Sequence, residues 1–240
     1  MLENATIYNS DLVVCGYTII HECENGTLKT ETKNVAPQGA FTDYAEELSI
    51  LHRNTLLFML WNKLYKKEII EKNQLRFSDI KRLEDATFNY AYLHYCDSIT
   101  FLPTCIYRYS IFHTQQITAT KRYIANYQQI YFNVYKAGCA LIETLKRKKM
   151  KNVSMFYAEI QRHLYSSLSG DLVINLSRSS LGYKRRYMYT KQALQQYHAC
   201  NIKIRPTDFR SIPDKLICFL VNIKAKHLLV FLSFLYSKKQ

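Results

Sequence analysis

At 240 residues and 48% hydrophobic side chains, the chain is long and apolar enough to bury a core of its own, which excludes a disordered tail or linker. Against 20 Tyr and 12 Phe stand only 6 Gly and 4 Pro, so breakers are few and long helices with short loops are predicted. The net charge of +14 is unevenly placed: residues 1–120 carry 11 Lys/Arg and 14 Asp/Glu (−3), residues 121–240 carry 22 and 5 (+17), which directs the second half toward a polyanion, either nucleic acid or an anionic membrane surface.

In chain order, residues 2–9 read as the end of a helix, and Asp11 to Ile20 is β-branched and apolar enough for a buried strand. Glu24-Asn25-Gly26 is a hairpin signal, with Thr27 to Lys33 as the return strand. A chain that opens on a helix and runs straight into a buried strand has no upstream strand to pair with, which is unusual for a complete α/β domain. Thr42 is read as the N-cap of a helix to about Leu51, with Glu46 and Glu47 in its first turns, and Asn54 as the cap of another through Leu60. Glu84 to Tyr95 spaces its apolar side chains as a helix, and Ser98–Leu102 and Cys105–Tyr109 are predicted as two short strands. From Lys121 the pattern becomes helical throughout, over roughly 121–148, 152–169, 184–198 and 214–236. The predicted fold class is therefore α/β with a mixed sheet, followed by an all-helical carboxyl-terminal region, divided at 1–118 and 119–240.

Seven scattered cysteines without a Cys-x-x-Cys pair fit reduced cytosolic thiols better than a disulfide framework or a zinc site. The amino terminus has neither a basic n-region nor an apolar h-region, and the longest uncharged run, His227 to Ser237, is too short to span a bilayer. A cytoplasmic location is expected.

The stretch Trp61-Asn-Lys-Leu-Tyr-Lys-Lys-Glu68, then Leu75-Arg-Phe77, then Leu83-Glu-Asp-Ala-Thr-Phe88, resembles bacterial family 2 glycosyltransferases of the GT-A fold. Ile106-Tyr-Arg-Tyr109, His113 and Ile117-Thr118 continue the likeness, so that order and spacing agree over about 60 residues, and Ser10 to Tyr17 looks like the strand that follows the family's metal motif. The resemblance implies a partial GT-A catalytic domain over 1–118 that keeps the acceptor side and lacks the nucleotide-binding half. The family's Asp-x-Asp, which holds a divalent Mg or Mn ion on the sugar nucleotide, occurs nowhere in the sequence. Met1 would then be an internal start or a truncation point, and the chain would be inactive alone.

By the same resemblance Asp85 is the general base of an inverting transfer from a nucleotide sugar to a lipid-linked or saccharide acceptor in surface polysaccharide synthesis, with Glu84 orienting it. The bland alternative is that Asp85 is a helix-capping acid. Trp61 would stack on a sugar or else pack in the core. Asn62, Lys63 and Arg108 would bind substrate, the two cations on diphosphate oxygens, unless they are merely solvated charges. His113 would complete the metal shell or be an ordinary surface histidine.

The helical region 119–240 sets Lys215, Lys224 and Lys226 against Leu216, Phe219, Leu220 and Ile223, the composition of an interfacial helix, with a core-packing helix as the alternative. The preferred partner is an anionic membrane surface rather than nucleic acid, placing the protein peripherally at the inner face of the cell membrane. A non-enzymatic basic membrane- or nucleic-acid-binding module is the competing reading of the whole chain.

Overall fold

The computed structural model describes residues 1–22, 28–33, 38–78, 82–112, 122–209 and 211–237. The hairpin signal at Glu24-Asn25-Gly26, the site residue His113 and the Ile117-Thr118 pair lie outside the described residues. Two compact units emerge, Met1–Ile117 with Asn133–Ile160, and Thr118–Phe132 with Gln161–Gln240.

The first unit is built on a five-stranded mixed sheet whose central strand is β1 (Leu12–Glu22). Its run Leu12-Val-Val-Cys15 is buried on both faces, as a strand flanked on both edges requires. On one edge β5 (Ile99–Phe112) runs parallel to β1. On the other, β2 (Leu28–Lys33) pairs antiparallel with Tyr17–Glu22, and β4 (Lys63–Tyr65) with Leu12–Val14. β3 (Gly39–Phe41) completes the sheet against Ile99–Phe101 of β5. Among the described residues β1 has no upstream partner, and the strands paired with it all come from later in the chain. β5 is also one strand instead of two. The register jumps from Cys15↔Leu102 to Gly16↔Cys105 and then Tyr17↔Tyr107, so the donor-less Pro103 is accommodated in a bulge without ending the ladder.

Among the described residues the helices of this unit are α1 (Leu2–Ile7), α2 (Ala45–Arg53), α3 (Lys67–Lys72) and α4 (Glu84–Leu93), with most of α5 (Tyr127–Arg147) and the first part of α6 (Val153–Gly170). α2 starts at Ala45 without a side-chain cap, because the fully buried Tyr44, whose hydroxyl donates to the Cys96 carbonyl, fixes the entry in place of Thr42. The helix expected from Asn54 is a single 3-10 turn, Leu56–Phe58, preceded by Thr55 in the left-handed region (φ 63°). Leu48, Leu51, Tyr90, Tyr92, Phe101 and Phe156 fill the core, where His52 Nε2 lies 2.9 Å from the Tyr90 hydroxyl. Gly138 brings α5 (Tyr127–Arg147) against α6 (Val153–Gly170): a Cβ there would meet Ile160 at 3.1 Å.

The second unit is helical, with the last part of α6 running into a π turn (Asp171–Asn175), then α7 (Tyr183–Ala199), α8 (Ile212–Asn222) and α9 (Lys226–Ser237). The single helix predicted over 214–236 breaks because Lys224 adopts φ 57°. The Ala225 amide then donates to Leu220 O (2.9 Å) and the Lys224 amide to Val221 O (3.1 Å), the two bonds of a Schellman stop built on lysine instead of glycine.

Buried Asp171 accepts from the hydroxyls of Tyr189 (2.7 Å) and Tyr131 (3.2 Å) and from Asn175 Nδ2 (2.8 Å). Burial outweighs these bonds and pushes its carboxyl up to about 6. Because the folded value exceeds the unfolded one of about 3.9, this group's stabilising contribution is present at low pH and is lost as pH rises through about 6. We expect Asp171→Asn, compared with wild type by urea unfolding, to remove a stability loss of about 3 kcal/mol between about pH 4 and about pH 7.

Candidate active site

The segment Trp61-Asn62-Lys63 enters β4 with its side chains divided between surface and interior. Trp61 is half-buried, whereas Asn62 and Lys63 are buried. The division follows from the docking of this segment against β1, where the Cys15 amide donates to Asn62 O at 2.9 Å.

Beneath Trp61 lies a polar clamp on the backbone of the preceding turn. Lys63 Nζ donates to Leu56 O (2.7 Å), Asn62 Oδ1 (2.8 Å) and Met59 O. Asn62 Nδ2 donates to Leu56 O and Cys15 O, each at 3.3 Å. From α4, Asn89 Nδ2 donates to Leu57 O (2.7 Å) while its Oδ1 accepts from the Tyr65 hydroxyl (2.6 Å). The carbonyls of Leu56, Leu57 and Met59 are thus held from both β4 and α4. Burial pushes the Lys63 ammonium down to about 7, opposed by the nearby Cys15 and Asp85. Its three protons match three acceptors, so Lys63 supports the turn.

Asp85 stands in the first turn of α4, half-buried and on the side of Lys63. It makes no hydrogen bond or ion pair with any described residue. Burial raises its carboxyl above the ordinary range, Glu84 next to it adds to the rise, and Lys63 opposes it. The residue before this pair, Leu83, holds φ 58°, a strained value for leucine, and offers no side-chain cap. α4 is fastened in place by the Tyr92 hydroxyl, which accepts from the Lys66 amide (2.9 Å) and donates to Asp11 O (2.5 Å). A carboxylate unengaged among the described residues, with a raised pKa and a rigid mount, can take a proton.

Trp61 is framed by three tyrosines. Tyr107 and Tyr109 of β5 stack on it with centroids at 4.3 and 5.6 Å, and Tyr17 of β1 meets it edge-on at 4.7 Å. Tyr107 and Tyr109 are 39% and 43% exposed, so the cluster is a surface platform and not a core plug. Arg108 is exposed between them on the alternate side of β5, and the structure does not bring it to Lys63 or Asp85. Among the described residues no group of three or more His, Cys, Asp or Glu side chains could hold a metal ion, and His113 lies outside those residues.

Sequence reasoning missed Tyr17, Tyr107, Tyr109 and Asn89 as members of the site. Alternation in β5 would have grouped Tyr107 with Tyr109, but their meeting with Trp61 depends on the bulged register that only the fold sets.

No family model matches the chain, and no solved structure matches it. A curated protein of Bacillus subtilis (strain 168), named "Putative glycosyltransferase EpsH", is 28% identical over 140 residues, covering 56% of this chain and 36% of that protein. The chain therefore corresponds to about a third of that relative's length.

Asn89→Ala would leave Leu57 O without its donor and the Tyr65 hydroxyl without its acceptor in a buried setting. We expect a loss of about 2 to 3 kcal/mol in urea unfolding, with a red shift in the emission of Trp61, the sole tryptophan, as its turn loosens.

Proposed function

We propose that this chain carries the acceptor side of an inverting glycosyltransferase of the family 2, GT-A type, with Asp85 as general base. The observation that supports the reading best is the Asp85 carboxylate itself, half-buried, unengaged among the described residues and within electrostatic reach of the buried Lys63 ammonium. The distant relative named as a glycosyltransferase adds to it.

In the proposed step the acceptor hydroxyl oxygen forms a bond to the anomeric carbon of a nucleotide sugar, and the hydroxyl proton passes to Asp85. The anomeric carbon–oxygen bond to the diphosphate breaks, and the leaving nucleoside diphosphate keeps that electron pair. A carboxylate suits the task because its charge also favours the oxocarbenium-like carbon. Trp61, with Tyr107 and Tyr109 around it, offers a flat apolar surface on which the face of a pyranose can lie. Glu84 keeps the base from ionising too readily. Lys63 and Asn62 act as positioning residues by fixing the turn that presents Trp61. The acceptor is a saccharide, free or lipid-linked, of surface polysaccharide synthesis.

Transfer of radiolabel from a panel of nucleotide sugars to saccharide and saccharide–lipid acceptors, with a nucleotide-binding half supplied separately because the proposed role of this chain is the acceptor side alone, tests the reading. Asp85→Asn is expected to lower kcat at least a hundredfold while leaving acceptor-induced quenching of Trp61 fluorescence intact. The wild-type acid limb is expected above the ordinary aspartate range, since the base must be ionised and its carboxyl is raised. Retained transfer in the Asn variant would refute the role of Asp85.

A further inference from the structure

We infer that α8 and α9 form a docking surface for an anionic lipid bilayer, an inference that stands apart from the catalytic reading. On α8, Ile212, Leu216, Phe219 and Ile223 recur at i, i+4, i+7 and i+11 and are 80, 49, 50 and 55% exposed. On α9, Leu228, Phe231 and Leu235 recur at i, i+3 and i+7 and are 53, 57 and 41% exposed. Each set lies along one line of its helix, opposite the line that is buried: Ile217, Cys218, Leu220 and Val221 on α8, Leu229, Val230 and Ser233 on α9. A water-facing helix normally turns charge outward, and these two turn large apolar side chains outward instead.

The inward side is already settled. Arg186, buried, donates to Ser233 Oγ (2.9 Å), Ser179 O (3.0 Å) and Leu181 O (2.9 Å), and its guanidinium lies 3.9 Å from the Phe234 ring centroid. α9 is therefore pinned, and the outward line has no buried alternative within its unit.

Charge selects the occupant. The unit Thr118–Phe132 with Gln161–Gln240 holds 16 Lys/Arg and 3 Asp/Glu, a net +13. Lys215 and Lys224 are exposed beside the apolar lines, Lys226 is half-exposed at the start of α9, and the one acid within the two helices, Asp214, is bonded to Ser211. Apolar side chains flanked by lysines match the acyl boundary and the anionic headgroups of a bilayer surface. No helix among the described residues is long and apolar enough to cross a membrane, so the geometry is that of helices lying in the interface. Of the residues read from sequence as the membrane dock, Phe219 belongs to the exposed line and Lys215, Lys224 and Lys226 to its flank, while Leu220 faces inward.

Sedimentation of the full chain with vesicles of phosphatidylcholine alone or with about a third phosphatidylglycerol tests the inference. Binding to the anionic vesicles is expected, at least tenfold weaker to neutral ones, and lost by tenfold or more in the double variant Phe219→Glu/Phe231→Glu. Both side chains are exposed, so unchanged circular dichroism is expected to confirm the fold. A single Phe219→Trp change, read in a Trp61→Phe background, should shift its emission to the blue on anionic vesicles. Absence of vesicle binding, binding that survives the double variant, a self-association abolished by that variant, or salt-sensitive retention on an oligonucleotide in place of vesicles would each overturn the inference.

Discussion

A lysine ammonium removed from water is the constraint on which the region around Trp61 depends. Among the described residues Lys63 has no carboxylate bonded to it. Its charge is supported by the carbonyls of Leu56 and Met59 and by the Asn62 amide oxygen. Such a group is costly to bury, so each acceptor has to stay where it is. The 3-10 turn, the start of β4 and the flank of α4 are fixed together as a result, and Asn89 reaches in from α4 to finish the clamp. Trp61 directly precedes Asn62 and Lys63 in the chain, and Asp85 is within electrostatic reach of Lys63.

The sheet explains why the clamp can exist where it does. β1 receives β4 and β2 end to end along one edge and β5 along the other, so an eleven-residue strand near the start of the chain collects segments from Leu28 to Phe112. The bulge at Pro103 changes the register midway, and the tyrosines beyond it arrive opposite Tyr17 and beside Trp61. In the other unit, burial of Arg186 and Asp171 performs a similar service, each tying separate helices through side-chain bonds.

Local signals in the sequence were enough for β1, for the return strand β2 and for α4, whose apolar spacings are regular. They failed where the decisive partner is distant. Pro103 looks like a strand end until a bulge absorbs it, and Tyr44 starts α2 by being buried, which no capping rule can register. Lys224 stops α8 in a conformation usually taken by glycine, so the break carries no composition mark. Asp85 and Trp61 were singled out through the motif that surrounds them. Lys63 was read as a diphosphate contact or a solvated charge because its burial is a property of the fold alone, and the tyrosine frame of Trp61 depends on strand register.

The most direct test of this account is a carboxyl-carbon NMR titration of Asp85 in the wild type and in Glu84→Gln. The expected result is a midpoint above the ordinary aspartate value of about 3.9, falling only in part in the variant because burial leads the shift. A midpoint at or below the ordinary value in both proteins would contradict a poised, unpaired base at the head of α4.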